Sequence, residues 1–254
     1  MIEPAQIEST RRLADLPEIW VYLTGNPLSA LFLTLLAYQI GLWCYKKSGQ
    51  QPFTNPVMIA VLLLAGFLQI TGLSYQQYFE GAQFVHFLLG TATVALAVPI
   101  YQGLTAVKGQ TIRTLVLLSV ALLVGGGLSI ASALGTAYLL GANIDIVQSL
   151  WAKSVTAPIA MGVSERIGAS PTLTALFAIV TGILGAAVGT WLFNFMGMKR
   201  WWVRGFTMGL AAHGIGTARA FSVHPEAGRY ASLGMGLHGI FGALLIPWMF
   251  ALVA

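Results

Sequence analysis

Charge is what this chain has least of. Only 8% of its 254 residues are charged, against about 25% in a typical soluble domain. With 57% hydrophobic residues and a mean hydropathy of +0.78, the chain reads as an integral membrane protein. Acidic residues are scarcer still beyond the first 18 residues. Four of the eight (Glu3, Glu8, Asp15, Glu18) lie in the first 18 residues. Beyond them 11 Lys and Arg face only Glu80, Asp145, Glu165 and Glu226. That excess suits cytoplasmic loops, a surrounding lipid bilayer and an anionic substrate. It does not suit nucleic acid, because the basic residues are dispersed between apolar runs. The single cysteine, Cys44, excludes an internal disulfide. No HExxH, phosphate loop or Cys/His/carboxylate cluster with metal-ligand spacing occurs. Neither a metal, a cofactor nor an enzymatic activity is therefore expected. No cleavable signal peptide is visible. Residues 1–25 read as a polar extension or interfacial helix, ahead of a single transmembrane domain over 26–254.

Long apolar runs are what is there. Residues 27–44, 56–73, 84–104, 114–140, 172–195 and 230–253 read as spans, and 75–83 as a short loop. The run at 114–140 is long enough to bend at Gly125-Gly126-Gly127. Residues 151–166 (W-A-K-S-V-T-A-P-I-A-M-G-V-S-E-R) are different. This stretch is too polar and too short to cross, since a spanning helix needs about 20 apolar residues. Pro158 and Gly162 break it further. Such a segment persists at membrane depth only inside protein or beside water. Charge agrees. The positive-inside rule asks Lys46/Lys47, Lys108/Arg113 and Lys199/Arg200/Arg204 to share the cytoplasmic side. Three apolar stretches separate the second group from the third, so one of them does not cross. Residues 151–166 are expected to be re-entrant or a pair of half-helices, with the N-terminus outside. Residues 203–221 are polar-interrupted too. A faint repeat (T-A-T-V-A at Thr91, T-A-P-I-A at Thr156, T-A-R-A at Thr217) falls in the polar-interrupted segments. The fold class is thus an all-α, polytopic helical bundle with broken or re-entrant helices and internal repeats.

Two motifs carry candidate chemistry. In the first, Lys153 beside Ser154 and Thr156 can hold a carboxylate and a neighbouring hydroxyl. The bland alternative is a lysine reaching an interface. In the second, A-H-G-I-G-T-A-R, Gly214 and Gly216 let the backbone unwind and expose amides. Thr217 offers a hydroxyl, and Arg219 can clamp a carboxylate bidentately. His213 can carry a coupling proton. The bland alternative is a packed crossing with Arg219 at the headgroups. Glu165 pairs with Arg166 or couples protons. His86 is a helix histidine or a relay, and Pro158 is structural. His238, in G-M-G-L-H-G, reads as packing with one polar bond.

H-F-L-L-G-T-A-T-V-A-L-A-V-P from His86, K-S-V-T-A-P-I-A-M from Lys153 and H-G-I-G-T-A-R-A from His213 resemble the LrgB/CidB family in order and spacing. That family includes the plastidial glycolate/glycerate translocator. The chain departs from its pattern at Thr91, Ala157 and His238, where Pro, Thr and Asn are usual. The resemblance implies a secondary transporter of small monocarboxylates (glycolate, glycerate, pyruvate-like 2-hydroxy or 2-oxo acids), by exchange or proton symport, in a cell inner membrane. It also implies an LrgA/CidA-like membrane partner; a homo-oligomer is a further expectation for the chain. The alternative it carries is a holin-like or antiholin protein regulating murein hydrolase activity or cell lysis.

Overall fold

The computed structural model describes residues 27–95, 97–109 and 111–253. The expected polar extension and the side of the N-terminus lie outside them. All regular structure among the described residues is helical. The helices gather in two compact units, one up to Leu89 and one from Gly90 onward.

The first unit contains α1 (Pro27–Lys47), a 3-10 turn (Pro52–Thr54), α2 (Pro56–Thr71) and most of α3 (Tyr75–Ala95). Asn55 caps α2 by accepting from the amides of Val57 and Met58, and Pro56 fits the first helical position because no donor is needed there. Gly72, at φ 68°, ends the helix in the left-handed conformation. Where a loop is expected over 75–83, the chain is already helical. Ser74 and Gln77 make reciprocal capping bonds, a capping box that starts α3 at Tyr75. Tyr78 then bonds the Thr34 hydroxyl of α1 at 2.6 Å.

The span expected over 84–104 is helical up to Ala95 in α3 and from Ala97 in α4 (Ala97–Val107), residue 96 lying outside the described residues. The remainder of the second unit is α5 (Ile112–Leu139), α6 (Ile144–Ser149), α7 (Ala157–Arg166), α8 (Pro171–Phe195), α9 (Trp201–Val223) and α10 (Pro225–Val253). By length and composition α1, α5, α8 and α10 can cross a membrane. α5 runs as one helix through Gly125-Gly126-Gly127.

Two segments enter and return. Residues 151–166 run inward along α10 and come back. Trp151 meets Phe250 edge-on at 5.6 Å. Val155 packs at Gly242. Ser154 reaches His238, about 18 Å along α10 from Phe250. The chain then turns at Pro158 into the ten-residue α7. Ser164 on α7 bonds Thr174, whose hydroxyl donates to the Ser149 carbonyl at 3.0 Å, so the segment ends where it began. This is the re-entrant element that charge parity asks for.

α9 returns as well. A continuous 23-residue helix is about 34 Å long, yet the Trp201 ring stacks on His224 at 4.6 Å. The reversal is at His213, with φ 41° and ψ −131°. Residues 201–212 and 214–223 are therefore two half-helices of a hairpin, closed by Gly216 against Met208 and Ala212.

The hairpins enter from opposite ends of the unit. Leu118 and Leu122 of α5 pack with Phe206, Tyr230 and Leu233, putting the start of α5, the base of the α9 hairpin and the start of α10 together. The end of α10, by contrast, holds the base of the first hairpin. Gly205 and Gly209 let the first half-helix of α9 lie directly on the Ala227 and Ala231 carbonyls of α10; any side chain there overlaps backbone. Gly209→Leu is accordingly expected to abolish monodisperse protein in fluorescence-detected size-exclusion chromatography. Gly135→Ala, where a Cβ meets nothing, leaves the elution profile unchanged and does not lower the melting temperature.

Candidate functional site at the two hairpin tips

The tips meet midway along α5, α8 and α10. At the α9 tip, the His213 imidazole Nε2–H donates to the Ala178 carbonyl of α8 at 2.7 Å. Gly182 makes room for the ring, since a Cβ there would sit 2.7 Å from His213 Cε1. The Thr217 hydroxyl donates to the His213 carbonyl one turn before it, at 2.8 Å. A positive φ is unusual for a residue with a Cβ and costs about 1–3 kcal/mol. These two bonds hold it. The reversal is thus at the histidine, not at the glycines that follow. Gly214 opens the second half-helix at a place where an added Cβ would meet nothing, and Gly216 serves close packing.

At the other tip, Lys153 is half-buried and donates to Ser129 Oγ of α5 at 3.2 Å. Ser154 Oγ and His238 Nε2 hydrogen-bond at 3.2 Å, both buried. Lys153 interacts electrostatically with both His213 and His238. Thr156 is 5% exposed and stands at the N-cap of α7, yet its hydroxyl caps nothing and has no hydrogen-bond partner. Pro158 lies in the first turn, where its missing N–H costs nothing. The N-termini of two half-helices, one ammonium, two imidazoles and one unpartnered hydroxyl therefore converge. Helix N-termini carry partial positive charge, so the whole arrangement is suited to a small anion.

Arg219 and Glu165 lie away from the tips. Arg219 is six residues past His213, about 9 Å down the second half-helix. It lines a cleft with Trp201 and Val223 at the hairpin base. Sequence distance alone does not reveal this, because the fold-back decides which end of α9 a residue joins. Glu165 is exposed on α7 and forms no ion pair among the described residues, so its expected pairing with Arg166 does not occur. Thr91 is exposed on α3. His86 is also on α3, and its side chain lies outside the described set. Conversely, Ser129 and His238 belong to the site. His238 is read from sequence as packing; it does pack, against Gly126, but it also bonds Ser154. With Gly126 and Ile130 it borders a mostly apolar cavity of about 150 Å3 between α5 and α10. Gly126 is the sequence signal for this, since one of three consecutive glycines faces a histidine.

Opposed re-entrant hairpins within a set of long apolar helices define a polytopic helical membrane protein with a polar centre. The LrgB-like family model matches residues 34–252, and the chain belongs to that family. It is 31% identical over 217 residues to a holin-like protein CidB of Staphylococcus epidermidis, covering 85% of this chain and 93% of that one. It is 33% identical over 224 residues to a holin-like protein CidB of Staphylococcus aureus (87% and 95%). It is also 33% identical over 220 residues to the uncharacterized protein YwbG of Bacillus subtilis (87% and 96%). No solved structure matches the chain.

Replacing His213 separates its backbone from its ring. His213→Gly removes the imidazole bond but relieves the positive φ; His213→Ala removes the bond and keeps the strain. The glycine variant is expected to be the more stable of the two by about 1 kcal/mol, read as the difference in melting temperature, the reverse of their order within an ordinary helix.

Proposed function

We propose that this chain carries small monocarboxylates (glycolate, glycerate or pyruvate-like 2-hydroxy and 2-oxo acids) across a cell inner membrane, by exchange or proton symport, with the substrate held between the two hairpin tips. The observation that carries the reading is the Thr156 hydroxyl, buried at a half-helix N-terminus with no partner. A buried hydroxyl left unsatisfied costs about 1–3 kcal/mol, and a substrate oxygen removes that cost. The carboxylate faces Lys153 and the start of α7, where charge and helix dipole act together. Ser154 and His238 offer a second polar position for a 2-hydroxy or 2-oxo group. His213, already committed to Ala178, sets the tip that closes the site. No covalent step is part of this proposal.

Orientation follows from charge. Arg113, Lys199, Arg200, Arg204 and Arg229 cluster at the end of the second unit where α5 starts, whereas Arg166 stands at the other end beside Glu165. The basic end is assigned to the cytoplasm, and the N-terminus to the outside. An LrgA/CidA-like membrane partner, or further copies of the chain, complete the assembly.

The names of the relatives favour a second reading. Both staphylococcal proteins are called holin-like, which supports a membrane protein that regulates murein hydrolase activity or cell lysis. The two readings part in proteoliposomes. A carrier takes up labelled glycolate saturably, and glycerate competes. Thr156→Val is expected to reduce uptake about tenfold, the effect of losing roughly one buried hydrogen bond to a charged group, while Thr156→Ser retains most of it. Lys153→Gln is expected to lose at least as much. Absence of saturable uptake, with and without a CidA-like partner, leaves the holin-like reading standing.

A further inference from the structure

Arg219 and Arg204 line one cleft at the base of the α9 hairpin, with Thr190, Phe193 and Trp201. Arg204 is held in place. It donates to the Thr190 carbonyl at 3.2 Å and to Asn194 Oδ1, and its guanidinium lies 5.1 Å from the Trp201 ring centre. Arg219 is not. Its Nη1 makes a 3.4 Å contact to Ser222 Oγ, and its Nε is buried without any partner. Neither arginine forms an ion pair among the described residues, although Glu226 stands in the first turn of α10. Two guanidiniums sharing a cleft without a carboxylate repel each other, and an anion between them relieves this.

Depth and size indicate which anion. The cleft lies where α8 ends and α9 begins, at a tryptophan pair with Lys199 and Arg200. Trp and basic residues mark the headgroup level of a bilayer. Its volume is about 20 Å3, room for roughly one oxygen atom rather than for an enclosed solute. A group presented from outside fits; a whole organic acid does not. We propose that the Arg204–Arg219 cleft binds the phosphate headgroup of an anionic phospholipid. The site is separate from the hairpin tips, and it tethers the base of the α9 hairpin to the lipid.

The test is native mass spectrometry of the full chain in neutral detergent, titrated with phosphatidylglycerol, phosphatidylcholine or inorganic phosphate. One phosphatidylglycerol is expected to bind more tightly than phosphatidylcholine. Arg219→Gln is expected to weaken it about tenfold, as for loss of a charge-assisted hydrogen bond. Arg166→Gln, at the opposite end of the unit, leaves it unchanged. Arg204 also ties α9 to α8, so Arg219→Gln is the informative variant, and a wild-type size-exclusion profile confirms that it folds. Equal binding of both lipids, undiminished phosphatidylglycerol binding in Arg219→Gln, or displacement of the lipid by equimolar inorganic phosphate would each overturn the proposal.

Discussion

The hydrogen bond from the His213 imidazole to the Ala178 carbonyl is the contact on which the second unit depends. It holds a residue with a Cβ at φ 41° and so turns α9 back on itself. Without the reversal α9 is long enough to cross a bilayer, and the half-helix N-terminus beside Lys153 disappears. Burial strengthens the bond, because neither partner has water as an alternative. Gly182 is its precondition: the smallest side chain on α8 stands opposite the ring.

The two hairpins reach similar geometry by different means. The first is broken by polarity and proline. Ser154, Thr156 and Pro158 make a continuous helix unfavourable there, and α10 supplies both an apolar wall and the polar partner His238. The second is broken by strain held in place by two hydrogen bonds. Close packing of small residues replaces the hydrophobic effect as the force joining helices in lipid. That accounts for the glycines of α9 and α10, which serve helix contact more than flexibility.

Legibility in the sequence divides along the same line. The first hairpin is readable, because polar residues and a proline in a short apolar stretch announce themselves, and charge parity requires a segment that does not cross. The second is readable only in part. H-G-I-G suggests unwinding at the glycines, but a histidine at positive φ is outside any propensity rule, and the fold-back then carries Arg219 away from the tip. Ser129 and His238 become site residues only through tertiary contact: the small residues around His238 point to packing, and nothing in the local sequence singles out Ser129. The start of α3 was within reach: Ser74 and Gln77 spell a capping box ahead of Tyr75.

The measurement that bears most directly on this account is accessibility of single cysteines to a membrane-impermeant maleimide in a Cys44→Ser background. Lys199→Cys and Ser222→Cys flank the α9 hairpin; Ala142→Cys and Ala169→Cys flank the first one. The account predicts that each pair labels from a single side, and that the two pairs label from opposite sides. Labelling of positions 199 and 222 from opposite sides would contradict it, since α9 would then cross the membrane and no pair of opposed tips would exist.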